Sequence, residues 1–79
     1  MSDKYKDRIT AYALLDAFEM VRNAGSFRSL ELEKARAGGM VAAFFFAGSL
    51  SMDGHSAMHD LLRNAFNCRF DEIGFKEAA

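Results

Sequence analysis

From Ala11 onward, apolar residues recur at helical spacing. Ala11, Leu14, Leu15, Phe18 and Val21 form one stripe, with Asp16, Glu19 and Arg22 on other faces. That pattern predicts an amphipathic helix over about residues 5–23. Ala24-Gly25 follows, and glycine tolerates the left-handed conformation that closes a helix, so the stop is expected there. Ser26 or Ser29 can cap a second helix, with Glu31 and Glu33 suited to its positive N-terminal end. This helix is predicted over 29–50. Gly38-Gly39 is its weak point, since each glycine costs up to ~1 kcal/mol relative to alanine in a helix interior. Every fourth residue reads Ala35, Gly39, Ala43, Ala47, a ridge almost without side-chain bulk that another backbone could approach closely. One long helix, kinked at most, is therefore preferred over two short ones. Asp53 is the natural cap of a third helix over 53–67, with Ser51 the alternative, and Met58, Leu61, Leu62, Ala65 and Phe66 form its buried stripe. Residues 69–79, with Phe70, Ile73 and Phe75 around Gly74, read as a loosely packed tail, either a short helical turn or a small strand. The expected fold is a single all-α domain, a bundle of three helices, or four if the tail forms one.

Phe44-Phe45-Phe46 changes the picture of the second helix. Adjacent helical residues are rotated by about 100°, so the three rings fan across about 200° of the circumference. With Met40 and Val41 one turn earlier, this helix is apolar nearly all round, the mark of a central element. A 79-residue chain has little material to surround it. Domains of this size hide only about 60% of their unfolded surface and commonly need a staple or a partner. One cysteine excludes an intrachain disulfide, and there is no Cys/His quartet for structural zinc. With 51% hydrophobic residues and eight Phe, a second copy is the expected remedy. The homodimer is expected to use Gly39, Ala43, Phe44, Phe45 and Phe46 at its two-fold axis.

Charge excludes some roles. Ten Lys/Arg against eleven Asp/Glu, a net charge of −1, disfavours a nucleic-acid coat, which needs a cationic surplus. Residues 1–8 carry charges of both signs where a secretory signal would place an apolar run. A lone cysteine fits a reducing compartment, so a cytoplasmic protein is expected. The uncharged stretch from Ala37 to Met52 falls short of the roughly 20 apolar residues that span a membrane.

Candidate chemistry is sparse. His55 and His59 lie four apart, so on a helix they share a face that could grip a transition metal. A catalytic zinc needs a third ligand, and no Glu stands between the histidines to act as base. His55, His59 and Arg63 are therefore expected to form a solvated polar ridge opposite the Met58/Leu61/Leu62 stripe, with no metal and no cofactor. Cys68 beside Arg69 is read as a packed apolar residue rather than a nucleophile. Neither Ala24-Gly25-Ser26 nor Ala37-Gly38-Gly39-Met40 has the spacing or the lysine of a phosphate loop. No catalytic residue is assigned.

Leu14, Leu15, Phe18, Val21, Gly25, Ser26 and Phe27, in that spacing, resemble the opening of LysR-type winged helix-turn-helix regulators. That family follows it with a polar recognition helix. Here the corresponding residues, 38–44, offer no hydrogen-bonding side chain to a base edge. The function expected from the residues is a non-enzymatic regulatory module that binds a macromolecular partner, a protein, by occupancy. Its polar surface for that partner would comprise Glu19, Arg22, His55, His59 and Arg63. The alternatives are a dimeric DNA-binding regulator contacting phosphate or bases through His55, His59, Arg63 and Asn64, and a metal-binding helical module at His55/His59.

Overall fold

The computed structural model describes the backbone of residues 3–78 and the side chains of residues 8–76. The described residues form three helices and no strand: α1 (Asp3–Arg22), α2 (Phe27–Phe46) and α3 (Met52–Ala78). Short connections make the bundle run up, down and up. The antiparallel pairing of α2 with α3 is read from contacts along their length. Phe27 meets Phe70 at 4.8 Å between ring centroids, and the Lys34 ammonium sits 4.2 Å from the centroid of the Phe66 ring. Farther along, Gly38 faces Leu62, and Phe45 meets His55 at 4.4 Å. The core is built from Val21 and Ala24, Leu30 and Ala37, and Leu62 and Ile73, flanked by Phe18, Phe27 and Phe66.

Each boundary has a local cause. Ser26 caps α2, its Oγ accepting from the Ser29 N–H at 3.1 Å. Ser51, not Asp53, caps α3: its Oγ accepts from the Gly54 N–H at 3.0 Å, and Asp53 lies in the first turn, where its charge suits the helix dipole. α2 ends at Phe46 rather than running to residue 50. Gly48, at φ +81°, donates to the Phe45 carbonyl at 3.0 Å, and the Ser49 N–H donates to the Phe44 carbonyl at 2.8 Å. Those two bonds form a Schellman closure, which needs a left-handed residue at that position. Gly25, expected to supply the left-handed stop of α1, does not; Gly48 is the only positive-φ residue among those described. α1 closes through the Ala24 N–H donating to the Val21 carbonyl at 3.3 Å, and the Ala24 carbonyl accepts from Arg69 Nε at 2.7 Å.

Gly38-Gly39 leaves α2 unbroken. The expected loose tail is corrected: α3 continues past Asn67 to Ala78. Phe66, Phe70 and Ile73 extend the Leu62 stripe at helical spacing, Ile73 is buried, and Gly74 passes under the Phe27 ring. The picture of α2 as a wrapped central helix is corrected too. Leu30, Ala37 and Val41 are its buried residues, all on one side, and its other side faces outward.

The result is elongated, 51 × 19 × 15 Å. The radius of gyration is 13.9 Å, against about 11.6 Å for a compact chain of this length. The exposed surface is 5670 Å², against about 4,800 Å² for a compact monomer of this mass. No helix among the described residues is long and apolar enough to cross a membrane.

Candidate interaction surfaces

The middle of α1 and the N-terminal half of α3 do not close on each other. Between them, floored by the α2–α3 connection, lies an open groove of about 430 Å³. Leu14, Leu15 and Phe18 line it from α1, Leu50 from the connection, and Met58 and Leu61 from α3. Leu15 is 57% exposed and Leu61 51%, so the rims are as apolar as the base. Sequence periodicity places Leu14, Phe18 and Met58 on covered faces, but Leu61, expected in the buried stripe of α3, and Leu15 are more than half exposed. Periodicity cannot show that two inner stripes fail to meet.

The second surface is the outward face of α2. Leu32, Ala35, Gly39, Ala43 and Phe46 are all exposed, Leu32 at 53% and Phe46 at 84%. At about 100° per residue they fall within about 80° of the helix circumference. Of the five residues expected to self-associate, Gly39, Ala43 and Phe46 share this face. Phe44 is half-buried on another flank. Phe45 is turned the other way, onto His55. The phenylalanine fan is therefore divided: one ring is used inside the bundle, one is partly covered and one is open. Leu32 was not singled out by sequence; its signal is a seven-residue spacing to Gly39, repeated from Gly39 to Phe46.

His55 and His59 do not form a solvated ridge. Both are half-buried in the α2–α3 seam, their rings edge to face at 4.5 Å between centroids, with Phe45 against His55. The antiparallel register that brings position 45 over position 55 is a tertiary fact, invisible to helical spacing. Arg63 and Asn64 are exposed on other parts of α3, and Glu19 is exposed on α1. Arg22 is joined to Glu72 at 2.7 Å. The five residues expected to face a partner are thus spread over separate surfaces. Among the described residues, no group of three or more His, Cys, Asp or Glu side chains could hold a metal ion.

The polar chemistry gathers at the other end of the bundle. Glu72 accepts from Arg22 of α1 and, at 3.0 Å, from Arg69 on its own helix. Hydrogen bonds first from Arg22 and then from Arg69 hold the Glu72 carboxyl below its ordinary value, against a smaller opposing effect of desolvation. Arg69 also reaches the Ala24 carbonyl, tying α3 to the α1–α2 connection. Cys68, expected to be packed, is exposed. No protein-family profile, no curated protein and no solved structure matches the chain.

Proposed function

We propose that the chain is a small non-enzymatic regulatory module that forms a homodimer and acts on a protein partner by occupying it. The observation that carries this reading is the mismatch between mass and surface. An 8.8 kDa chain exposes 5670 Å², about 900 Å² beyond the compact expectation. Stable protein–protein interfaces take about 800 Å² from each partner, so the surplus is of the size one interface would cover. Two apolar surfaces lie open on opposite functional ends of that reading. The outward face of α2 offers a self-association surface, and the α1–α3 groove has the form that receives an amphipathic helix from a partner. The exposed thiol of Cys68 suits a reducing compartment, which supports a cytoplasmic setting.

Sedimentation equilibrium at micromolar concentration tests the dimer. A mass near twice 8.8 kDa is expected, with a melting temperature that rises with protein concentration. A single-chain mass and a concentration-independent melt would sink the reading.

A further inference from the structure

We infer that α2 pairs antiparallel with the α2 of a second copy, across a two-fold axis passing at Gly39. The inference rests on the homodimer reading above and adds the face and the register. A two-fold interface must be self-complementary, each residue meeting a counterpart that meets it in return. The outward face of α2 has this property about one point. Leu32 and Phe46 lie seven positions before and after Gly39, and Ala35 and Ala43 lie four before and after it. Antiparallel pairing sets Leu32 against the second copy's Phe46 at both ends, with small residues between them. Both large side chains are more than half exposed in the protomer, so each has surface to lose on pairing.

Gly39 carries an independent indication. A Cβ built there meets nothing within 4 Å, and its φ is not in the left-handed region. Neither packing within the protomer nor backbone conformation requires a glycine. Inside a helix it only weakens the element relative to alanine. A close approach by a second backbone supplies the missing reason. Charge distribution selects the antiparallel sense. Arg28, Glu31, Glu33, Lys34 and Arg36 occupy the first half of α2, and no charge follows until Asp53. Antiparallel pairing lays each charged half along an uncharged half and opposes the helix dipoles, whereas parallel pairing would set Arg36 against its own copy. The surplus of about 900 Å² per chain matches the roughly 800 Å² each partner contributes to a stable interface.

The test uses the full chain with Cys68→Ser, which removes the one native thiol from an exposed position. This background chain should itself sediment as a dimer with a helical circular dichroism spectrum. Leu32→Cys and Phe46→Cys chains, mixed under a short bifunctional thiol reagent, should cross-link to each other and not each to itself. Separately, Gly39→Ala should weaken dimerisation at least tenfold while the circular dichroism spectrum stays helical. If Cys68→Ser sediments as a dimer but the mixed pair fails to cross-link, this face and register are wrong and the dimer reading survives. If Cys68→Ser sediments as a monomer with a helical spectrum, both fall.

Discussion

Arg69 shows how much one side chain joins in a molecule this small. Its Nε donates to the Ala24 carbonyl at 2.7 Å and its Nη1 to Glu72 at 3.0 Å. The guanidinium fork makes both bonds at once, which a lysine ammonium on a flexible stem reproduces poorly. Arg69→Ala leaves the carbonyl of buried Ala24 without that donor, so a loss of about 2 kcal/mol is expected in urea unfolding, with Arg69→Lys recovering only part of it. From sequence alone Arg69 is only the neighbour of Cys68, because its acceptor lies 45 positions away in another connection. Glu72 gives the same corner a pH dependence. Its carboxyl is held low by Arg22 and Arg69 in the folded chain, so between the folded and ordinary values the unfolded chain binds more protons. The stability it contributes is therefore complete above the ordinary carboxylate range and is lost as pH falls through the lowered folded value. Glu72→Gln should flatten the acid limb of stability against pH and leave its neutral-to-basic shape unchanged; an unaltered acid limb would place the pH dependence elsewhere.

At the scale of the element, the existence of the three helices was legible and their ends were less so. Periodic apolar positions located α1, α2 and the first half of α3, because a stripe at 3.6-residue spacing is a local property. The apolar pattern runs past the true end of α2 because nothing local distinguishes Gly48, the left-handed closing residue, from Gly25, which closes nothing. Gly48→Ala should cost about 1 kcal/mol, since alanine at φ +81° is strained, while Gly25→Ala should be close to neutral. Comparing the two variants by thermal melting separates a glycine the turn requires from one it does not. The second half of α3 escaped the sequence reading for a different reason. Gly74 interrupts a short pattern, and the packing that holds it, Phe70 and Ile73 beneath α2, comes from a helix more than forty positions earlier. The seam holding His55 and His59 was equally hidden. Spacing places the two rings on one face of α3 but does not identify the face that Phe45 covers.

Over the whole molecule, the apolar excess visible in composition resolves into two separate surfaces, and they can be disabled independently. The α1–α3 groove lies on faces of the bundle other than the outward face of α2, so the proposed pairing through α2 would leave a groove open on each copy. Leu15 and Leu61 stand on its rims and are each about half exposed, so polar replacements there bury no new charge. Leu15→Gln with Leu61→Gln should therefore change stability by no more than about 1 kcal/mol. The native protein should bind the hydrophobic dye anilinonaphthalene sulfonate, as exposed apolar surface does. The double variant should lose most of that fluorescence while keeping the sedimentation mass of the parent. Gly39→Ala should show the reverse, an altered mass with dye binding at the groove intact. If the groove variants lower the sedimentation mass instead, then the groove is the self-association surface, and the division of labour between the two faces is exchanged.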